Sequence, residues 1–145
     1  MKKILFLFLI FNIVILFAGC ESKEELVCFT NEVIVNNECV EAFDNINNEE
    51  LEALLLSPED YQFVDVRTSN EYNTSKIPGF DINIDYYLFD GNHKMITHLD
   101  KNKPVVILCN SGNRSISASK IFFEEGFTEI YNVTFGIKGW TGETE

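Results

Sequence analysis

The sequence predicts an α/β protein with an open parallel sheet flanked by helices, preceded by a small N-terminal hairpin. From about Phe43 onward, short apolar segments are separated by helical segments of about ten residues, a spacing typical of parallel sheets with right-handed crossovers. Residues 105–108 are four consecutive apolar residues, which is typical of a central strand covered on both faces. A length of 145 residues with an apolar fraction of 46% is sufficient for one domain and a short appendage.

The first residues have the pattern of a secretory signal segment. Lys2 and Lys3 precede an apolar stretch at 4–18, which is shorter than the ~20 residues of a membrane-spanning helix and fits the apolar region of a signal peptide. Its end resembles the lipobox of bacterial lipoproteins, with Ala18 and Gly19 before Cys20 and Phe17 in place of the usual Leu. The resemblance implies that 1–19 is a lipoprotein signal peptide and that Cys20 is acylated.

This resemblance sets the expected location. A lipid on Cys20 implies an extracytoplasmic protein anchored to a bacterial cell membrane, because two or three acyl chains hold a protein stably. The alternative is an uncleaved N-terminal anchor. The formal net charge of -12 excludes nucleic acid as an expected partner, because phosphate recognition needs a basic surface.

Residues 20–42 are predicted to form a tether and a small hairpin. Val33-Ile34-Val35 has the composition of a strand, and Asn36-Asn37 favours a tight turn because Asn tolerates positive φ. Export implies an oxidising compartment, so we expect a disulfide between Cys28 and Cys39. No metal site is predicted, because no histidine or second cysteine pair lies at ligand spacing.

The elements of the main domain, 43–145, follow from capping signals and apolar spacing. Asn47 with Glu50 three residues later marks a helix start, and Leu51, Leu54 and Leu55 give that helix one apolar face. The other predicted elements are strands at 63–66, 82–84, 105–108 and 129–133, a helical turn at 69–72, a helix at 115–125 ended by Gly126, and a closing segment at 136–140. Residues 88–100 are predicted as a loop with a short helix.

Cys109 directly follows the predicted central strand, where sites form in open parallel sheets. The residues after it allow the backbone N–H groups to curl inward as an anion-binding nest, and the next helix adds its positive dipole end. Both effects stabilise a thiolate, and Arg114 adds a cation suited to an oxyanion. We therefore predict a reactive Cys109 rather than a buried structural thiol. The predicted substrate-binding loop is Asn110, Ser111, Gly112, Asn113 and Ser115.

Four segments in order resemble the rhodanese family in its single-domain form. They are Phe63-Val64-Asp65-Val66-Arg67 with Glu71-Tyr72, Lys76-Ile77-Pro78-Gly79-Phe80, Cys109 to Ser115, and Phe135-Gly136-Ile137 with Gly139-Trp140. The resemblance implies that Cys109 forms a persulfide and that Arg114 helps to hold a donor such as thiosulfate or a persulfide, with a thiol as acceptor and no cofactor. This chain departs from the family at Asn110, Lys76, Phe80 and Phe135.

Loop length separates two chemistries within this resemblance. Cys109 and Arg114 are separated by four residues, whereas the related phosphatases and arsenate reductases have five. The shorter loop goes with sulfur or selenium transfer, so the sequence predicts a rhodanese-type sulfurtransferase. The alternatives are a non-catalytic binding or sensing module at the membrane surface, and a thiol redox protein in which Cys109 pairs with Cys28 or Cys39.

Several other polar residues are expected to have structural roles only. Asp65 and Arg67 are expected to tie the end of a strand to neighbouring loops. His93 and His98 have no partner visible in the sequence and are expected at the surface.

Overall fold

The computed structural model describes residues 26–89 and 93–145. The predicted signal peptide and Cys20 lie outside these residues. The described chain contains a two-stranded antiparallel sheet followed by a five-stranded parallel sheet with helices. This architecture confirms the predicted fold class. Within the described part of the chain, every helix is too short or too polar to cross a membrane.

The antiparallel sheet is the predicted N-terminal hairpin. Strand β1 spans Glu32–Val35 and strand β2 spans Glu38–Glu41. Between them, Asn36 and Asn37 have φ values of 50° and 66°, as the tight turn requires. The predicted Cys28–Cys39 disulfide is present. Because a two-stranded sheet is marginally stable in water, this covalent link stabilises a piece of structure that has little core of its own.

The parallel sheet has the order β3-β7-β6-β4-β5. Strand β6 lies at its centre with all four residues buried, as predicted from its continuous apolar run. Strand β3 was not predicted, because it has three residues and two of them are exposed; it is a strand because it pairs with β7. The strands span Asp44–Ile46 (β3), Gln62–Asp65 (β4), Ile82–Asn83 (β5), Val105–Leu108 (β6) and Ile130–Val133 (β7).

Four α-helices connect or follow these strands. The predicted cap at Asn47 is confirmed, because its side chain accepts hydrogen bonds from the first turn while the Glu50 carboxylate accepts one from the Asn47 N–H. The α-helices span Asn48–Leu54 (α1), Ser69–Thr74 (α2), Asn113–Glu124 (α3) and Gly136–Gly139 (α4). Short 3₁₀ segments lie at Pro58–Asp60, Tyr86–Leu88 and His93–Ile96. Helix α3 starts two residues earlier than predicted, which brings its N-terminus closer to Cys109.

The sheet separates two apolar cores, and β6 contributes to both. Val105 and Ile107 pack in the larger core, together with Phe122 of α3. Val106 and Leu108 point to the opposite face, where Leu51 of α1 is fully buried. Successive side chains of a strand alternate between faces, so both cores hold β6 in place. The residue after β6 therefore has a well-fixed position.

A buried ion pair fixes the end of β4. The Arg67 guanidinium donates hydrogen bonds to the Asp65 carboxylate, with a shortest distance of 2.6 Å, and to the Ser75 carbonyl at 2.7 Å. This confirms the predicted structural role of Asp65 and Arg67, because the pair joins a strand end to the end of α2.

The expectation for the two histidines is confirmed only in part. His98 is exposed. His93 is half-buried, and its Nδ1 lies 2.6 Å from a Glu125 carboxylate oxygen, a partner that was not visible in the sequence. Glu125 lies 32 residues further along the chain, so the pairing depends on how the chain folds back.

Candidate active site

The thiol of Cys109 lies directly after β6 and is buried, with 1% of the residue exposed. The Gly112 N–H donates a hydrogen bond to Sγ at 3.1 Å. The Ser115 hydroxyl lies 3.4 Å from Sγ and 2.9 Å from the Gly112 carbonyl oxygen, so its single proton is donated to one of them at a time. These donors and the start of α3 direct positive dipole ends toward the sulfur.

Gly112 makes the contact with the sulfur possible. It has φ 96° and stands at the N-cap of α3. A Cβ at this position would lie 2.1 Å from the Thr134 carbonyl oxygen, far inside a van der Waals contact. Both the left-handed backbone and the close approach therefore require glycine, and together they hold the Gly112 N–H against Sγ.

The segment after β7 supports the same loop from the other side. The Ile137 N–H donates to the Cys109 carbonyl at 2.8 Å, and the Lys138 N–H donates to the Asn110 carbonyl at 3.0 Å. A Cβ on Gly136 would lie 2.4 Å from the Cys109 carbonyl oxygen. The N-terminus of α4 thus packs directly on the backbone of the loop and orders it through main-chain hydrogen bonds.

Arg114 forms a bidentate ion pair with Glu71. Its two terminal nitrogens donate to the two carboxylate oxygens at 2.8 and 2.7 Å. The hydrogen bond from Arg114 is the main reason that the pKa of Glu71 falls to about 2, and hydrogen bonds from Thr68 lower it further against an opposing effect of burial. The guanidinium carbon of Arg114 also lies 5.6 Å from the centre of the Tyr87 ring. Arg114 is thus held between α2 and the Tyr86–Leu88 turn.

The structure brings together some of the predicted loop residues and leaves others at the surface. Gly112 and Ser115 contact the sulfur, whereas Ser111 and Asn113 are exposed and Asn110 is half-buried. Three further residues contribute that sequence reasoning did not assign to the site: Glu71, Tyr87 and Thr134. Glu71 belongs to a motif segment noted above, which was the available signal for it.

One group of potential metal ligands lies close together within the described residues: Cys28, Glu32 and Cys39. The two sulfur atoms are bonded to each other, so neither offers the thiolate that binds zinc. The same bond leaves Cys109 as the free cysteine of the described chain. A disulfide between Cys109 and the hairpin would therefore require opening an existing one.

Fold and site together define a class: a parallel α/β domain that presents a buried thiol from a tight loop between the central strand and a helix. The family model of the rhodanese-like domain matches residues 47–143, which is most of the chain. The chain belongs to the rhodanese-like domain family. Its relatives accordingly include proteins named as sulfurtransferases.

Three bacterial proteins are among the sequence relatives. YtwF of Bacillus subtilis is 34% identical over 100 residues, covering 69% of this chain and 92% of YtwF. YrkF of the same organism is 30% identical over 110 residues, covering 76% of this chain. This chain spans only 57% of the length of YrkF. The thiosulfate sulfurtransferase GlpE of Shewanella oneidensis is 29% identical over 83 residues, covering 54% of this chain and 74% of GlpE.

Solved structures with the same fold include two from staphylococci. A rhodanese-like domain protein of Staphylococcus aureus superposes with a TM-score of 0.60 at 28% identity, covering 71% of this chain and 97% of that one. SSP1007 of Staphylococcus saprophyticus gives a TM-score of 0.60 at 25% identity, covering 71% and 99%. In both cases the covered share of this chain is about the length of residues 43–145, the part that follows the hairpin.

Proposed function

We propose that this protein transfers sulfane sulfur through a persulfide on Cys109. The observation that carries the proposal is the hydrogen bond from the Gly112 N–H to the buried Sγ at the N-terminus of α3. A backbone donor and a helix dipole aimed at one sulfur stabilise both a thiolate and the anionic persulfide formed from it. The names of relatives such as GlpE support the same activity class.

The proposed reaction consists of two displacements. First, the Cys109 thiolate attacks the outer sulfur of a donor such as thiosulfate; the new Sγ–S bond forms as the donor's S–S bond breaks, and sulfite leaves with the bonding electrons. Second, an acceptor thiolate attacks the outer sulfur of the Cys109 persulfide, and the Cys109 thiolate leaves. The transfer has no net oxidant or reductant, so the two steps need no cofactor.

The remaining site residues act through Cys109 in this proposal. Gly112 donates to the sulfur, and Ser115 stands within reach of the same atom. Arg114 is a positioning residue, because its paired guanidinium joins the first turn of α3 to α2. The earlier prediction that Arg114 holds an anionic donor stays a prediction, since its fork is directed at Glu71 in this structure.

The test is mass spectrometry of the protein after incubation with thiosulfate and with an organic persulfide. We expect wild-type protein to gain the mass of one sulfur atom, to lose it on addition of a thiol acceptor, and to carry it on the peptide that contains Cys109. Cys109→Ser protein is expected to gain none. Equal gain in the variant, or no gain from either donor in the wild type, contradicts the proposal and favours a non-catalytic module.

We further propose that the protein is a lipoprotein anchored outside the cytoplasm through Cys20. The disulfide between Cys28 and Cys39 supports this location, because such bonds persist mainly in oxidising compartments. Growth of expressing bacteria with a labelled fatty acid tests it. Wild-type protein is expected to become labelled and to sediment with membranes, and Cys20→Ala protein is expected to do neither; label on both proteins contradicts the proposal.

A further inference from the structure

We infer that the preferred sulfur donor is an organic persulfide whose carbon frame is uncharged and apolar, rather than thiosulfate or a charged persulfide. This inference rests on the proposed sulfur transfer and specifies its substrate class. It depends on two observations about the mouth of the site. The charge of Arg114 is already balanced by Glu71, and exposed aromatic residues follow strands on either side of β6, with Tyr87 over Arg114.

The charge balance follows from the Arg114–Glu71 pair. Both terminal nitrogens of Arg114 donate to the Glu71 carboxylate, so the guanidinium offers no unbalanced positive charge to a donor. Asp85 is a further carboxylate in the turn that carries Tyr87, where its side chain accepts the Tyr87 N–H at 3.0 Å. A thiosulfate dianion that approaches the Cys109 thiolate here meets repulsion without a compensating cation. The loop residues between Cys109 and Arg114 are all uncharged.

The two exposed aromatic residues follow strands that lie on opposite sides of β6 in the sheet. Phe135 follows β7, and 63% of it is exposed; its neighbours Thr134 and Gly136 are the residues packed against the loop. Tyr87 follows β5 on the other side of the sheet, is 65% exposed, and lies over Arg114. Large exposed rings beside a site are positioned to cover an apolar group of a bound ligand.

Lys138 is the charged residue that could offset this balance. It is exposed, and its backbone N–H donates to the Asn110 carbonyl. Recruitment of thiosulfate by the Lys138 side chain would overturn the inferred preference for an uncharged donor. The experiment therefore includes Lys138→Gln protein.

The transfer from such a donor is balanced within the two reactants. The Cys109 thiolate attacks the outer sulfur of R–S–SH, and the Sγ–S bond forms as the S–S bond of the donor breaks. The R–S⁻ thiolate leaves with the bonding electrons, and the proton stays on the transferred sulfur. The apolar R group is the part that the aromatic rings would contact, while the slender S–SH end reaches the buried Sγ.

The experiment measures persulfide formation on Cys109 with three donors: benzyl persulfide, glutathione persulfide and thiosulfate. Each rate is divided by the rate of the same donor with a free cysteine derivative, which removes differences in intrinsic reactivity. We expect the normalised rate for benzyl persulfide to exceed that for each charged donor by about tenfold or more. The comparison uses wild-type protein, so it does not depend on the folding of any variant.

Substitutions test which residues cause the preference for an apolar donor. Phe135→Ala is expected to reduce the normalised benzyl persulfide rate about three- to tenfold, as expected for loss of an aromatic contact. Phe29→Ala is the matched control, because Phe29 is an exposed phenylalanine of the hairpin, and we expect no change from it. Lys138→Gln is expected to leave the order of the three donors as it is in the wild type.

The outcomes separate this inference from the proposed function. No persulfide from any donor overturns sulfur transfer itself. Efficient transfer from all donors with thiosulfate equal to or faster than benzyl persulfide overturns only the inference, as does a thiosulfate rate that depends on Lys138. An unchanged benzyl persulfide rate in folded Phe135→Ala protein removes the role assigned to the aromatic rings.

Discussion

The hairpin and the parallel domain each contain cysteine sulfur but treat it in opposite ways. In the hairpin, Cys28 and Cys39 are bonded to each other, and most surrounding side chains are exposed or half-buried. In the domain, Cys109 is a free thiol with 1% exposure, at the start of a loop whose backbone is packed on the segment after β7. The disulfide stabilises the hairpin, whereas packing of the surrounding backbone fixes the position of the Cys109 thiol in the domain.

This difference shows two ways of fixing a sulfur atom. The disulfide needs two Cα atoms at a suitable separation, here 5.5 Å, which a short hairpin and the residues just before it provide. The Cys109 thiol, in contrast, has a hydrogen-bond donor at a fixed position, the Gly112 N–H at the N-terminus of α3. That position depends in turn on Thr134 and Gly136, which follow a different strand. Substitutions should therefore separate the two regions cleanly.

The largest expected effect is on persulfide formation, when removal of the two hairpin sulfurs is compared with removal of the Cys109 sulfur. The paired substitution Cys28→Ser with Cys39→Ser is expected to keep persulfide formation within about twofold of wild type, because neither residue contacts the loop. Cys109→Ser is expected to abolish it. Persulfide trapping followed by peptide mapping measures both. A large loss of activity in the folded hairpin variant would mean that the two regions are functionally coupled.

The second effect tests the packing that fixes the loop. Gly112→Ala adds a Cβ 2.1 Å from the Thr134 carbonyl oxygen at φ 96°, and we expect it to cost about 3 kcal/mol of unfolding free energy or more and to slow persulfide formation. Gly126→Ala is the matched control, because Gly126 has φ 90° but open space around the added Cβ. It is expected to cost about 1–2 kcal/mol.

Urea denaturation and loading rates measure these two variants together. Equal free-energy losses at Gly112 and Gly126 would show that backbone strain, and not contact with Thr134, makes glycine necessary in the loop. Faster loading in the Gly112→Ala protein would contradict the role given to the Gly112 N–H.

The third effect concerns the hairpin alone. Reduction of the Cys28–Cys39 disulfide is expected to lower the stability of the hairpin by about 2–3 kcal/mol, because the bond closes a short loop in the unfolded chain. Hydrogen exchange should accelerate at β1 and β2 and stay slow at β6. Faster exchange at β6 to the same extent would show that the domain relies on the hairpin for its stability.

The smallest effect is the pH dependence of the Arg114–Glu71 pair. The pKa of Glu71 is lowered from 4.5 to about 2 in the folded protein, so protonation favours the unfolded chain. The stabilisation is complete above about pH 4.5 and is lost as the pH falls toward 2. The pair is partly exposed, so we expect less than about 1 kcal/mol from it.

Denaturation of wild-type protein and of Glu71→Gln protein at several pH values between 2 and 6 measures this contribution. The difference between the two proteins is expected to shrink as the pH falls. Glu59→Gln serves as the control because Glu59 is exposed, and its difference from wild type should stay constant. A constant difference at Glu71 would contradict the lowered pKa.

The elements that sequence reasoning predicted well are those whose own residues decide their structure. The bounds of β6 agree with the prediction because a buried central strand needs four apolar residues and has them. The cap at Asn47 and the turn at Asn36-Asn37 agree for a similar reason, since each depends on local hydrogen bonds or local φ values. Strand β3 was not predicted, because its conformation depends on its pairing with β7, whose paired residues lie about 87 positions further along the chain.

The place of Cys109 after the central strand and the curl of its loop were predicted from the sequence, but the contacts that hold the loop were not. The composition of the residues after Cys109 indicated a curled backbone, and the Gly112 contact agrees with it. The partner of Arg114 lies 43 residues earlier, and the carbonyl that excludes a side chain at Gly112 belongs to β7–α4. Contacts between residues so far apart in the sequence are set by the tertiary fold, so local sequence patterns do not predict them.

The support of the loop by Thr134 and Gly136 has a consequence for biosynthesis. A chain that grows from its N-terminus makes both hairpin cysteines and Cys109 before it makes the residues that pack against Gly112 and the Cys109 carbonyl. During that interval the hairpin sulfurs can already find each other over a short distance, while Cys109 has no finished loop around it. In an oxidising compartment that the chain enters N-terminus first, closure of the Cys28–Cys39 bond is therefore expected before β7 and α4 complete the surroundings of Cys109, which leaves neither hairpin cysteine free to pair with it.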